Sequence, residues 1–108
     1  MPKTPPSKKP AKGSNAGAPV TAAFDLLGRR WTMRILWELS QHGPCTFRDL
    51  QERCGQISPT SVNTRLKEMR NAGIVEQEDG SGYSLTALGK ELNTSLEPLR
   101  EWANRWNN

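Results

Sequence analysis

A mainly α-helical fold carrying one small β-hairpin is what this sequence predicts, on three observations. Apolar residues recur at steps of three and four through residues 19–72 and again through 87–106. A turn-forming Asp79-Gly80-Ser81 separates two short strand-like segments, and Gly or Pro marks the point where each helix should stop. At 108 residues, 34% of them hydrophobic, the chain has material for one small domain with a modest core.

Residues 1–17 are rich in Pro, Lys, Ser, Gly and Ala and have nothing to bury, so they are expected to form a disordered basic tail. Either the tail only solubilises the chain or its lysines add phosphate contacts. The domain proper is expected over 18–108.

Pro19 suits a first helical turn, and Val20, Ala23, Phe24 and Leu27 follow at helical steps until Gly28 ends the run. In the second helix Trp31, Ile35, Leu36 and Leu39 make a core stripe, whereas Met33 and Trp37, four apart, lie on another face. One small domain needs only one apolar face from such a helix. The second face suits either a partner helix or a fully buried central position. Gly43-Pro44 stops the segment.

Thr46 followed by Asp49 has the spacing of a capping box, and Phe47, Leu50 and Cys54 form the inward stripe of a short third helix. Gly55-Gln56-Ile57 then leads to Ser58, a good N-cap, and Pro59 at the first helical position. Val62, Leu66 and Met69 share the inner face of this fourth helix, and Gly73 supplies the left-handed position that commonly ends one. Its outer face collects Thr60, Asn63, Thr64, Lys67 and Asn71, with Ser61 and Arg65 on the flanks. Taken alone, such a face is what any solvated amphipathic helix shows. A short helix, a tight Gly-containing connection and a second helix together make a helix-turn-helix over about 46–72, whose second helix enters the major groove.

The segments 74–78 and 82–86 flank the turn and predict a wing over about 74–86. Leu88, Leu92, Leu96, Leu99, Trp102, Ala103 and Trp106 then repeat at helical steps over about 87–107. So much apolar surface at a chain end suits a dimerisation helix better than the core of one small domain. Pro98 should kink or break it near Glu97, because proline removes a hydrogen bond and crowds the preceding turn. The whole is a winged helix-turn-helix with N- and C-terminal dimerisation helices.

Charge is distributed to match. Residues 29–70 hold eight basic against four acidic side chains, net +4, whereas 76–108 hold three against six, net −3. A basic segment joined to an acidic one suits a polyanion-binding region beside a region with another task. The expected function is sequence-specific binding of double-stranded DNA by a homodimer. Thr60, Ser61, Asn63 and Thr64 are candidates for base edges, since short polar side chains exchange hydrogen bonds there. Lys67, Arg70 and Arg65 are candidates for phosphates, Arg65 alternatively pairing with Asp49 or Glu52, and Ser58, Thr46 and Arg48 complete the DNA-binding set. Phe24, Met33, Trp37, Leu92, Leu96, Leu99, Trp102 and Trp106 are the candidates for the dimer interface.

Other classes fit poorly. His42 is the sole histidine and adjoins a Gly-Pro turn, Cys45 and Cys54 lack the paired spacing of a zinc site, and no Gly-rich phosphate loop or nucleophile–base grouping occurs. No enzyme activity, cofactor or metal is expected, and the residues name no small-molecule or redox effector. Cys54 falls on a core stripe; Cys45 falls in a connection, where it can be exposed. Two cysteines and no long apolar run predict a cytoplasmic protein with no membrane attachment. The rival reading is a winged-helix protein-interaction or RNA-binding module, which a short acidic wing (Glu76, Glu78, Asp79) would suit.

The segments AAFDLLGRRWTMRILWEL, TFRDLQERCGQISPTSVNTRLKEMRNAGIVEQ and YSLTALGKEL, closed by Trp102, resemble the HxlR-type, MarR-like winged-helix regulators from Val20 to Trp106. The resemblance implies dimeric transcription regulators, most simply repressors, in which terminal helices pair the subunits and the helix after Ser58 reads an inverted-repeat operator. Many such relatives carry a cysteine just before the proline of the first helix, and in some it senses oxidants. Here that position is Ala18, so the resemblance implies no thiol sensing by that route.

Overall fold

The computed structural model describes residues 18–78 and 82–108; the expected tail and the 79–81 turn lie outside them. The order is α1 (Pro19–Leu27), α2 (Thr32–His42), α3 (Phe47–Arg53), α4 (Pro59–Asn71), β1 (Val75–Glu78), β2 (Gly82–Leu85), α5 (Ala87–Ser95) and α6 (Glu97–Trp106). This is a mainly helical winged helix-turn-helix with a two-stranded hairpin as its wing. Among the described residues no helix is long and apolar enough to cross a membrane.

Local chemistry sets the helix ends. Thr46 Oγ1 accepts from the Asp49 amide at 3.0 Å while an Asp49 carboxylate oxygen accepts from the Thr46 amide at 3.3 Å, so α3 opens with a complete capping box. Ser58 Oγ accepts from the Ser61 amide at 3.1 Å and Pro59 occupies the first turn of α4. At its far end the Ile74 amide donates to Met69 O and the Gly73 amide to Arg70 O, which is the Schellman closure that the φ of +81° at Gly73 allows. The chain then turns straight into β1.

In the wing, Val75 pairs with Leu85 and Gln77 with Tyr83, antiparallel, and Cys45 bridges to Tyr83 from the segment before α3. Thr86 caps α5 by accepting from the Gly89 amide and also donates its hydroxyl to Gly73 O at 2.6 Å. Gly89 lies so close to Ile74 that a Cβ there would run into the Ile74 carbonyl oxygen. Wing, α4 terminus and α5 are therefore held together at one corner.

The core joins Ile35, Leu36 and Leu39 of α2, Leu50 of α3, Val62, Leu66 and Met69 of α4, and Ile57, Ile74, Val75 and Leu85. α2, α3 and α4 contribute the stripes their periodicity marks out, whereas α1 and α6 bury no residue fully and Val20 and Phe24 of the expected α1 stripe are exposed. The break expected at Pro98 is present: the C-terminal segment is two helices meeting at Leu96, because Pro98 sits in the first turn of α6, where its missing amide needs no partner. Two other details refine the sequence-based expectation. Leu92 and Leu96, expected at the dimer surface, are half-buried and pack against the chain's own core. Cys45 is buried rather than exposed, since its bridge to Tyr83 folds it under the wing.

Candidate nucleic-acid interface

The outward face of α4 is where the expected DNA contacts gather. Ser58, Thr60, Asn63, Lys67, Arg70 and Asn71 are exposed, and Ser61 and Thr64 are half-buried. The face is continuous because Val62, Leu66 and Met69, one helix side away, are all buried. Ser58 Oγ is engaged as the cap and also donates to Ser61 Oγ at 2.9 Å. That contact still leaves Ser61 a hydroxyl hydrogen for another acceptor. Thr60, Asn63, Thr64 and Lys67 make no side-chain hydrogen bond among the described residues, so their polar groups face outward unengaged.

Basic side chains divide into free and committed. Lys67 and Arg70 line a cleft of about 540 Å³ between α4 and the wing, with Asn71, Glu76 and Gln77. Arg48 projects from α3, 87% exposed, at 3.9 Å from Glu52. Arg65 differs: Nη1 donates to Glu68 Oε1 at 2.7 Å, and its side chain is only 21% exposed. The partner is Glu68, one turn along the same helix, and not Asp49 or Glu52. On its other oxygen Glu68 meets Arg29, in the α1–α2 connection, at 3.6 Å. Thr46, beside this surface, is occupied as the α3 cap.

A second polar assembly was not anticipated. Glu38 is buried on α2, yet its carboxylate takes Arg34 Nε at 2.8 Å and lies 3.5 Å from His42 Nε2. Arg34 also donates to Arg53 O at 2.7 Å, tying α2 to the end of α3. The spacing Arg34-Glu38-His42, four residues each, was the available signal. It braces the helix-turn-helix from behind. Close by, Arg53 Nη1 donates to Cys45 Sγ at 3.1 Å. Burial pushes the Cys45 thiol up, with the Arg53 charge opposing, and burial likewise raises Cys54. Neither has the lowered pKa of a reactive thiol. Among the described residues no three His, Cys, Asp or Glu side chains assemble as metal ligands.

The terminal helices present the other notable surface. Phe24, Met33, Trp37, Leu99, Trp102 and Trp106 are all exposed large hydrophobics, as are Val20 and Leu88. Trp106 is 71% exposed and stacks on Trp102 with ring centres 5.3 Å apart. Val20 and Leu88 were not among the expected interface residues, although Val20 shares the stripe of Phe24 on α1.

With that geometry in place, comparison with known proteins gives concordant matches. The HxlR-like helix-turn-helix family matches residues 26–108. The chain is 32% identical over 91 residues to the HTH-type transcriptional regulator YodB of Bacillus subtilis, covering 79% of this chain and 80% of YodB. It is 30% identical over 90 residues to an HTH-type transcriptional regulator of Halalkalibacterium halodurans, covering 78% and 80%. The crystal structure of quinone-bound YodB superposes with a TM-score of 0.74 at 33% identity, covering 82% of this chain and 99% of that one. A possible HxlR family transcriptional factor from Thermoplasma volcanium superposes at 0.75 with 29% identity, over 84% and 86%.

Proposed function

The chain belongs to the HxlR-like helix-turn-helix family of DNA-binding transcriptional regulators, which are not enzymes, and we propose that it works as a dimeric repressor reading an inverted-repeat operator with α4. The observation that carries this is the outward face of α4, where Thr60, Asn63 and Thr64 stand unengaged beside Lys67 and Arg70. Thr60, Ser61, Asn63 and Thr64 take the base edges, being in the half of the helix that enters the groove. Lys67 and Arg70 take phosphates from the cleft beside the wing, and Arg48 reaches the backbone from α3.

Two-fold symmetry in the operator requires two copies of α4 held at a set distance. Phe24, Met33, Trp37, Leu99, Trp102 and Trp106 supply the apolar surface for pairing, and aromatic side chains dominate such interfaces. A repressor acts by occupying its operator against competitors, which needs no second ligand. The crystallised YodB holds a quinone. In this chain both thiols are buried with raised pKa values, so a thiol-based response to such compounds is not part of the proposal.

One observation favours a different module: Glu76 and Glu78 are exposed and put acid on the wing, where phosphate contact would want base. Selecting bound duplexes from genomic fragments and measuring their affinity across salt concentrations separates the two. Recovery of one inverted repeat, bound by about 10³-fold or more over random duplex, supports the operator reading. Uniform, weak binding of all duplexes would replace it with the protein- or RNA-binding reading.

A further inference from the structure

One carboxylate on α4 faces the wrong way for a helix that meets a polyanion. Glu68 is half-buried, holds Arg65 on one oxygen at 2.7 Å and meets Arg29 with the other at 3.6 Å. Both arginines flank the helix that the proposed function assigns to the groove. An arginine beside a major groove is the strongest general ligand for phosphate, because its planar donors match the phosphate oxygens in pairs. Here Arg65 is turned inward instead, with its Nε buried and without a partner among the described residues. Arg29 is 51% exposed, so once released from Glu68 its guanidinium is free to meet a phosphate.

Resting on that reading of α4, we propose that Glu68 is an internal stand-in for phosphate: it occupies Arg65 and Arg29 and so limits the sequence-independent part of DNA binding. Phosphate contacts carry affinity and salt dependence but no base information. A regulator faces an enormous excess of non-operator duplex, so each guanidinium held to the protein reduces its loss to those sites. The same carboxylate seats the α1–α2 connection against α4, which links the N-terminal helix to the orientation of the reading helix. Glu68 is in this sense a positioning residue and makes no DNA contact itself.

The test uses the full chain and two duplexes, the operator recovered by the wild-type protein and a random sequence of equal length. Glu68→Gln keeps the side-chain shape and one acceptor oxygen while removing the charge. It should steepen the salt slope of log K on random duplex by about 1.8, about 0.9 for each of the two guanidiniums released, raising random-duplex affinity about tenfold per release near 0.1 M salt. Glu68→Gln/Arg29→Gln should return about 0.9 of that increment, a reversal that a merely structural defect does not produce. In the otherwise wild-type chain Arg29→Gln should leave the slope unchanged, because that guanidinium is already engaged. This arm needs only an exposed side chain changed, so it can overturn the inference even if Glu68→Gln fails to fold. A slope that falls by about 0.9 in Arg29→Gln, or one unmoved in a folded Glu68→Gln, overturns the inference and leaves the operator reading intact. A wild-type chain that binds neither duplex overturns both readings at once.

Discussion

The Arg100 guanidinium stands 4.7 Å from the centre of the Trp37 ring, so a cation–π contact lays α6 across α2. The same guanidinium donates to Asn93 O at 3.2 Å, which pins the break between α5 and α6. That seam sets Leu99 and the stacked Trp102 and Trp106 on the outside of the molecule, on the surface proposed to pair two copies.

Trp102→Ala should therefore weaken the dimer. A buried interface tryptophan truncated to alanine costs about 2 kcal/mol or more, or roughly a 30-fold rise in the dimer dissociation constant. Sedimentation equilibrium across a dilution series measures it. Unchanged mass at every concentration would remove Trp102 from the interface.

Thr64→Ala and Lys67→Ala, three residues apart on α4, should fail differently. Thr64→Ala should narrow the gap between the operator and a single-base variant by about 1–3 kcal/mol, as the loss of a base contact does. Lys67→Ala should weaken all duplexes alike and lower the salt slope by about 0.9. Titrations of both proteins at two salt concentrations separate these effects. If both leave affinity and discrimination untouched, α4 does not read DNA.

Gly89→Ala should lower stability by about 1–3 kcal/mol, since the added methyl meets the Ile74 carbonyl, a backbone atom with little room to yield. In a domain of this size each kcal/mol shifts the melting temperature by about 4–8 °C. Circular dichroism melting is sufficient to see it. An unmoved midpoint would mean that α5 does not approach Ile74 so closely in solution.

Both thiols predict a decline in stability at high pH. Burial raises Cys45 and Cys54 above their ordinary value of 9.0, so the folded chain keeps protons that the unfolded chain releases. Stability from this source is complete below about pH 9 and is lost as pH rises through the folded values. Urea unfolding of the wild type and of Cys45→Ala/Cys54→Ala, compared from about pH 8 to pH 10, should show the wild type falling more steeply. Parallel curves would mean the thiols are not held protonated by the fold.

Much of the fold was legible because its signals are local. The capping box at Thr46 and Asp49, the Ser58 cap before Pro59 and the left-handed Gly73 each depend on residues within one turn, and each is present. The break ahead of Pro98 follows from proline chemistry in the same way. The exposed strip on α4 was legible too, since periodicity alone separates it from Val62, Leu66 and Met69.

The sequence by itself determined where the helices run and stop and, for α2, α3 and α4, which face turns inward, because hydrogen bonding and burial along one helix are set by neighbours three and four positions away. The tertiary structure alone decided which distant groups meet. It brought Arg29 to Glu68, bridged Cys45 to Tyr83 and buried that thiol, turned Leu92 and Leu96 inward, and set Arg100 over Trp37. The reason is physical: a side chain's periodicity records how often it faces a neighbouring element, but its partner depends on the angle and offset at which two elements dock, and those are fixed by packing the whole core at once.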